Sequence, residues 1–345
     1  MFRPIRIRDD VHSLRGGFGG HQSFTTMGTT MRLSTAIKAS LCLIGTFAAA
    51  SAFAGTTRDG GDSYAPTGKG WGEFKSGHGL IDASKPNPNG QAGHGKPGGG
   101  GNGISYHGGP VVLGTNNIYY IWYGNWSGNT APTILTDLAS NIGGSPYYNI
   151  NTTYYNGSNV HVSNSVAYKG STTDSYSQGT SLSDAQIQTV VSSAISSGRV
   201  PKDANGIYFV LTSADVTASS GFCTQYCGWH THGTISGSDI KYAFVGNPDR
   251  CPSSCEQQTS SPNGNAGADG MASIIAHELE EETTDPDLNA WYDTRGAENA
   301  DKCAWTFGTT YSAGGGSANM RLGSRDYLIQ QNWVNANGGL CAKSY

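Results

Sequence analysis

Residues 183–211 read SDAQIQTVVSSAISSGRVPKDANGIYFVL, a helix pattern followed closely by a strand pattern. Ser183 and Gln186 form a capping box of the kind that starts helices, and Gly198 is typical of a helix end. The apolar residues between them share one helical face: Ile187, Val190, Val191, Ala194 and Ile195. The run IYFVL at 207–211 has no polar alternation and predicts a buried strand. This stretch therefore predicts a helix packed on a sheet.

Other strand patterns lie on both sides of this stretch. The runs IYYIWY at 118–123 and KYAFV at 241–245 are rich in β-branched and aromatic residues, which favour strands. A Gly-Thr-Asn-Asn turn before the first run predicts a hairpin with 111–113. Alternating polar and apolar residues over 147–166 predict further short strands.

Two more helices complete the predicted elements. One begins at Pro132, a residue favoured in the first helical turn, and the other covers 270–283. The chain beyond the second helix is Gly-rich and irregular. Together the patterns predict an α+β fold: a single domain over 106–345 with a mixed β-sheet, about three helices and a C-terminal part cross-linked by disulfides.

The composition limits the classes of function. Charged residues make up 13% of the 345 residues and the formal net charge is −4, which excludes a generally basic nucleic-acid-binding protein. No apolar run reaches the roughly 18–20 residues of a membrane span. We therefore expect no nucleic-acid partner and no membrane span, while the oligomeric state is open.

The N-terminal region has the pattern of an export signal. Residues 31–54 read MRLSTAIKASLCLIGTFAAASAFA: a basic start, a short apolar core and an Ala-Phe-Ala cleavage signal. We interpret 1–54 as an upstream extension and secretory signal peptide, cleaved near Ala54-Gly55. Translation starts at Met31, or else it starts at Met1 and the signal has an unusually long n-region. Residues 55–105 are Gly-rich and predict a flexible leader, which serves either as an inhibitory propeptide or as a tether.

Six cysteines follow the predicted signal: Cys223, Cys227, Cys251, Cys255, Cys303 and Cys341. An even number of cysteines in an exported protein predicts disulfides. Sequence proximity favours the pairs Cys223–Cys227, Cys251–Cys255 and Cys303–Cys341. The two C-x3-C pairs can alternatively form a four-thiolate zinc site.

The helix over 270–283 carries the strongest chemical pattern, His277-Glu278-Leu279-Glu280-Glu281. In H-E-x-x-H zinc peptidases, ligands at i and i+4 share one helical face and the glutamate at i+1 is the general base. Here Glu281 replaces the second histidine, and carboxylates also bind zinc. The spacing predicts that His277 and Glu281 bind a metal ion, with Glu278 as the catalytic base in a zincin-like arrangement.

A third ligand is needed beyond this helix. Asp287 lies ten residues after His277, the spacing of the third ligand in extended H-E-x-x-H motifs, and Asp285 is the nearest alternative. Glu298 and Asp301 compete for the same role from a following segment. The expected ion is Zn²⁺, or Ca²⁺ because the set is rich in carboxylates.

Nine of the 25 carboxylates fall within residues 277–301. Like charges so close repel one another, and a bound cation relieves the repulsion. The competing interpretation is a solvated acidic helix face with His277 in the core. His230 and His232 form an H-x-H pattern that can chelate from one face of a strand, or can be ordinary polar residues of a loop.

The chain resembles the EXORDIUM/phosphate-induced protein family of secreted proteins, best known from plants. The resemblance covers nearly all of 106–345. Its motifs are YHGGPV at 106–111, IWYGNW at 121–126, the cysteines with their neighbours between 222 and 255, VGN at 245–247, PNG at 262–264, DGM at 269–271, TDP at 284–286, and ENA with Cys303. It implies an extracellular or cell-wall location, without an established catalytic activity. His277-Glu278 and Asp285 depart from the plant pattern, which indicates a microbial branch of the family.

Two functions remain open from the sequence. The first is a secreted zinc-dependent peptidase or other hydrolase that acts on an extracellular peptide through the helix 277–281. The second is a non-enzymatic binding or signalling protein with a structural cation, whose partner is a cell-wall component. For the second, Trp122, Trp126, Trp229 and Trp291 line a glycan-binding surface unless they belong to the core.

Overall fold

A computed structural model describes Pro66, Gly68, Lys69 and residues 103–345. The predicted extension and signal peptide, and most of the predicted leader, lie outside these residues. The first described strand begins at Ile104.

The strands in chain order are β1 Ile104–Tyr106, β2 Asn116–Tyr123, β3 Val166–Asp174, β4 Ser181–Leu182, β5 Gly206–Thr212, β6 Thr217–Ala218, β7 Gly228–Ile235, β8 Ser238–Gly246, β9 Trp291–Asp293, β10 Tyr311–Ala313, β11 Gly316–Ala318, β12 Met320–Leu322, β13 Arg325–Tyr327, β14 Asn332–Val334 and β15 Leu340–Ala342. The helices are α1 Ala131–Asn141, α2 Asp184–Ser196, α3 Pro252–Cys255 and α4 Ala266–Thr284. Short 3-10 helices cover Tyr148–Thr153, Pro248–Arg250 and Asp301–Cys303.

The main sheet has five strands in the order β3-β2-β5-β8-β7. Four of them are parallel, and β7 pairs antiparallel with β8 at one end of the sheet. All seven residues of β5 are buried, as expected for a parallel strand covered on both faces. The α+β fold and the mixed sheet are thus confirmed.

The helices cover the sheet in two layers. The chain moves from β2 to β3 through α1 and then back to β5 through α2. Right-handed crossovers in opposite directions place these helices on opposite faces. Helix α4 packs against α1 and against β7 and β8. The long helix with the metal-ligand pattern therefore runs beneath the β7 end of the sheet.

Two local predictions are wrong. Residues 111–113 form no hairpin with β2, because β2 lies between β3 and β5 and both of its edges are already hydrogen-bonded. The Val112 N–H instead donates to the Thr283 carbonyl at the end of α4. Instead of short strands, the region 147–166 contains a 3-10 helix at Tyr148–Thr153 and one isolated bridge between Tyr155 and His161, because Tyr147, Tyr148 and Tyr154 turn inward to the core.

The disulfides are Cys223–Cys251, Cys227–Cys255 and Cys303–Cys341. The third prediction is confirmed and the two local pairs are wrong. The reason is the β7–β8 hairpin, whose antiparallel strands bring the segment before Gly228 beside the segment after Val245. Each C-x3-C cysteine therefore meets a cysteine of the other pair. All four thiols are consumed, which excludes the four-thiolate zinc site.

The C-terminal part consists of small two-stranded sheets, β10–β11, β12–β13 and β14–β15, held by Cys303–Cys341. This confirms the disulfide cross-linked C-terminal part. Within the described residues, no helix is long and apolar enough to cross a bilayer. The disulfides fit an oxidising, extracellular environment.

Candidate metal centre

Helix α4 is buried along almost its whole length. The Asn265 side chain caps it by accepting from the Ala268 N–H, and it ends at Asp285, before Pro286. Every residue from Gly267 to Thr284 is buried, including the acidic ones. Glu278, Glu281 and Asp285 have no exposed surface. The solvated acidic face is therefore wrong, and these carboxylates must be stabilised inside the protein.

His277, Glu281 and Asp301 form one cluster of potential ligands. His277 Nε2 lies 3.0 Å from Glu281 Oε1, one helical turn away, and 3.6 Å from Asp301 Oδ1. The Asp301 N–H donates to Glu281 Oε1 at 2.9 Å, which fixes the segment after β9 against the helix. The pair predicted at i and i+4 is thus brought together, and Asp301 joins it.

His230 on β7 forms a second cluster with Glu278 and Glu281. Its Nδ1 lies 3.2 Å from Glu278 Oε2 and 3.4 Å from Glu281 Oε2. Its Nε2 lies 3.5 Å from Glu298 Oε1. Glu281 therefore faces a different histidine with each oxygen and joins the two clusters. We call these residues the buried centre: His230, His277, Glu278, Glu281, Glu298 and Asp301.

The buried centre concentrates negative charge in a medium that solvates it poorly. Burial, followed by repulsion from Glu281, raises the pKa of Asp301 to about 7. Burial and the neighbouring carboxylates raise the pKa of Glu298 well above its usual range. Burial also acts to raise the pKa of Glu281, but His277 and His230 outweigh it and lower that pKa to about 2. Glu281 is therefore the carboxylate most strongly held in its charged form.

Four side-chain atoms of the buried centre that could bind a metal ion have no hydrogen-bond partner among the described residues: His230 Nε2, Glu281 Oε2, Glu298 Oε1 and Asp301 Oδ1. Buried polar atoms in native proteins normally have a hydrogen-bond partner or a bound ion, so a partner is expected for each of these four atoms. No lysine or arginine of the described part forms an ion pair with these carboxylates. A cation would satisfy both requirements at once.

The spacing of the donor atoms suits a small divalent ion. Ligand atoms about 2.0–2.2 Å from a tetrahedral zinc ion stand about 3.3–3.6 Å apart. The separations within the centre run from 3.0 to 3.6 Å. Calcium takes oxygen ligands almost exclusively, whereas imidazole nitrogen suits zinc and related transition metals. The two histidines therefore favour zinc over calcium.

Of the two residues predicted as third ligand, Asp287 lies in another cluster, whereas Asp285 lies near the buried centre but is not part of either of its ligand clusters. Asp287 belongs to a separate, partly exposed cluster with His232 and Asp239. Asp285 Oδ1 accepts from the N–H groups of Asn289 and Ala290, which shapes the turn after α4. Burial raises the pKa of Asp285 to about 6. Of the four candidates, the structure brings Asp301 to His277 and Glu298 to His230.

The main residue that the ligand prediction lacked is His230. Its signal was the H-x-H pattern, since residues two apart on a strand share a face. His230 and His232 lie on the same face of β7, but only His230 reaches the buried centre. The Nδ1 atom of His232 lies 2.7 Å from Asp239 Oδ1. The role of the tryptophans is also decided: Trp122, Trp229 and Trp291 are buried, and Trp126 packs on Trp122. They belong to the core rather than to a glycan-binding surface.

Comparison with known proteins identifies the family. The sequence model described as "Phosphate-induced protein 1 conserved region" matches residues 104–326. The chain is 34% identical to Protein EXORDIUM-like 5 of Arabidopsis thaliana over 69% of this chain and 77% of that protein. It is 33% identical to Protein EXORDIUM-like 3 of the same plant, over 67% of this chain and 80% of that protein.

A third relative is Protein PHOSPHATE-INDUCED 1 of Nicotiana tabacum, which is 29% identical over 55% of this chain and 67% of that protein. No solved structure matches the chain. The names of these relatives state no catalytic activity, and the microbial branch stays a prediction. With the motifs quoted above, these matches show that the chain belongs to the EXORDIUM/phosphate-induced protein family.

Proposed function

We propose that this chain is a secreted zinc-binding protein that acts as a metal-dependent hydrolase, with a peptide as its substrate. The observation that carries the proposal is the cluster of His277, Glu281 and Asp301 inside the protein. His277 Nε2 lies 3.0 Å from Glu281 and 3.6 Å from Asp301, and no lysine or arginine of the described residues forms an ion pair with the two carboxylates. So many buried carboxylates would destabilise the fold if they were unpaired, because burying an isolated charge is unfavourable in free energy.

In this proposal His277, Glu281 and Asp301 hold the ion. A zinc ion held there would lower the pKa of a bound water to about 7 and would polarise the substrate carbonyl. Glu278 follows His277 on the helix and is the general base toward that water. His230, which contacts both Glu278 and Glu281, positions these two carboxylates.

A second function is supported by the burial of the centre. Structural metal sites are closed, whereas catalytic sites keep an open position for water or substrate. His230, His277, Glu278 and Glu281 have no exposed surface in this chain. The alternative is therefore a non-enzymatic extracellular protein, acting on a cell-wall component or another partner, in which the cation stabilises the fold.

Metal analysis of the purified secreted protein tests the metal site. We expect about one zinc per chain, lost in His277→Ala and retained in the control His161→Ala, whose imidazole is exposed and contacts a backbone carbonyl. Absence of metal from the wild-type protein refutes both functions in their metal-dependent form. Calcium in place of zinc leaves only the structural alternative.

Peptide-library digestion separates the two functions. Glu278→Gln keeps a polar side chain of the same size and removes the base. We expect it to retain zinc and to lose at least about 100-fold in turnover, the usual contribution of a general base. A metal-loaded wild-type protein without hydrolytic activity, after the leader has been removed, favours the structural alternative.

A further inference from the structure

Strand β7 lies at the edge of the main sheet and has β8 as its only strand neighbour among the described elements. A segment from the predicted leader is nevertheless bound to its outer side. The His230 N–H donates to the Gly68 carbonyl at 2.8 Å. The contact uses the backbone of the sheet edge, as in peptides that bind to a sheet edge, but here Gly68 and Lys69 form a bend rather than a strand.

Gly68 fits this position because it has no side chain. Its φ is +68°, and an added Cβ would stand 2.0 Å from the His230 carbonyl oxygen and 3.3 Å from Leu288 Cδ2. Any larger residue at this position is therefore excluded both by backbone conformation and by contact with β7. The backbone of the segment approaches β7 as closely as a neighbouring strand does.

Lys69 anchors the same segment. Its Nζ lies 2.7 Å from Asp184 Oδ2 at the start of α2. The ammonium also lies 5.3 Å from the ring centroid of Tyr226 and 5.9 Å from that of Trp229, within the range of cation–π attraction. A charged anchor beside a main-chain contact is typical of a bound peptide segment.

His230 connects this edge to the buried centre. Its backbone N–H holds Gly68, while its imidazole faces Glu278 and Glu281. In an antiparallel pair, alternate residues turn their backbone groups toward the same side. Gly228 and His232 therefore turn theirs to the side that His230 presents to Gly68. A peptide on this edge therefore contacts the same residue whose imidazole contacts the carboxylates.

We propose that the outer edge of β7 is the docking edge for a peptide segment held through its main chain, and that Gly68 and Lys69 of the same chain occupy it. The leader segment is thus bound where a peptide ligand would lie. This deepens the proposed function, on which it rests for the fate of the bound peptide, by identifying the ligand as a peptide segment recognised through its main chain, with glycine at the contact and lysine after it.

The test compares Gly68→Val with Gly128→Val in the full secreted chain. Gly128 has a similar φ of +72°, and an added Cβ there meets nothing within 4 Å, so the control carries the conformational strain without the steric conflict. Hydrogen exchange at the His230 amide is the measurement. We expect exchange about tenfold faster or more in Gly68→Val, from the loss of one hydrogen bond, and unchanged in Gly128→Val.

The released edge is then offered a synthetic peptide of residues 64–72, YAPTGKGWG. We expect it to bind Gly68→Val and to restore protection of the His230 amide. The same peptide with valine at the Gly68 position should not bind, and wild-type protein should not bind either peptide. Unchanged exchange in Gly68→Val, or failure of the released edge to take up the peptide, overturns the proposal.

A second variant covers the case in which Gly68→Val does not fold. Lys69→Ala removes only the anchor and should accelerate exchange at His230 by a smaller factor, about threefold, while Lys169→Ala on the exposed side of β3 should not. Amides of the buried strand β5 report global unfolding. Neither exchange nor peptide binding needs a metal ion, so a protein without zinc would refute the proposed function and leave this result interpretable.

Discussion

The chain places two clusters of histidine and carboxylates side by side, and they differ in how their charge is balanced. In the rim cluster of His232, Asp239 and Asp287, the Lys241 ammonium lies 2.6 Å from Asp239. The His232 and Asp239 side chains are 35% and 41% exposed. The buried centre around His277 also consists of histidines and carboxylates, its two histidines have no exposed surface, and no lysine of the described part of the chain pairs with Glu281 or Asp301.

Residue types alone therefore do not define a metal site. At the rim, water and Lys241 stabilise the carboxylates, and no ion is required. In the buried centre, further carboxylates surround the two histidines and no lysine or arginine of the described residues pairs with Glu281, Glu298 or Asp301, so the proposed ion would supply the positive charge. Two positions of the same H-x-H pattern, His230 and His232, thus lie in opposite electrostatic environments.

The largest expected difference concerns stability. His277→Ala leaves Glu281 and Asp301 buried without their partner, and we expect the free energy of unfolding to fall by about 3–5 kcal/mol. His232→Ala removes a partly exposed pair, for which we expect less than about 1 kcal/mol. Urea denaturation of both variants measures the contrast. Equal effects would mean that the two clusters do not differ in the way described.

The next largest effect is on zinc affinity. Asp301→Asn should weaken zinc binding by at least about 100-fold, since even outer-shell partners of metal ligands contribute 10- to 100-fold. Asp287→Asn should leave the affinity unchanged, because Asp287 lies in the rim cluster. Competition titration with a chromogenic chelator gives both constants. The opposite ranking would return the third-ligand role to Asp287.

A smaller effect is the pH dependence of the metal-free protein. The folded-state pKa values of Asp301 and Asp285 are raised to about 7 and about 6, so the folded protein binds more protons than the unfolded chain. Their contribution to stability is present below about pH 4 and is lost as pH rises through 6 to 7. We expect apoprotein melting temperatures to fall over this interval, and zinc to suppress the fall. A pH-independent apoprotein would contradict the assigned cause.

The smallest effect is expected from Lys241→Ala, which removes the cation of the rim cluster. His232, Asp239 and Asp287 then resemble the buried centre in composition but stay accessible to water. We expect a new, weak zinc site with a dissociation constant of about 0.1–1 mM and a stability change below about 1 kcal/mol. Isothermal titration of the variant, with wild-type protein as control, measures it. Its absence would indicate that Lys241 is not what keeps the rim free of metal.

Elements with strong local patterns were predictable from the sequence. The capping box of Ser183 and Gln186 forms as predicted, and IYFVL at 207–211 forms the middle of the fully buried strand β5. The strand pairing of β2 was not predictable, because its partners β3 and β5 lie dozens of residues away in the sequence. Periodicity describes which face of an element is apolar, but not which distant strand covers it.

The candidate site likewise has a part that the sequence predicts and a part that it does not. His277 and Glu281 are one helical turn apart, so helix geometry alone brings them together. Asp301 and His230 arrive from other parts of the chain, and their approach depends on the path after β9 and on the position of β7. The spacing that favoured Asp287 assumes a particular turn, whereas the Asp285 side chain here shapes a different one through Asn289 and Ala290.

The two disulfides across the β7–β8 hairpin determine the order in which the oxidised chain can assemble. Each joins cysteines 28 residues apart, so the first to form closes a long loop. Once Cys223 is joined to Cys251, the path from Cys227 to Cys255 through that bond is only about ten residues long, and the second closure is nearly local. A chain that first joins neighbours within a C-x3-C pair must exchange those bonds before β7 and β8 can close. Oxidative folding of this protein is therefore expected to pass through hairpin formation before His230 reaches its carboxylate partners.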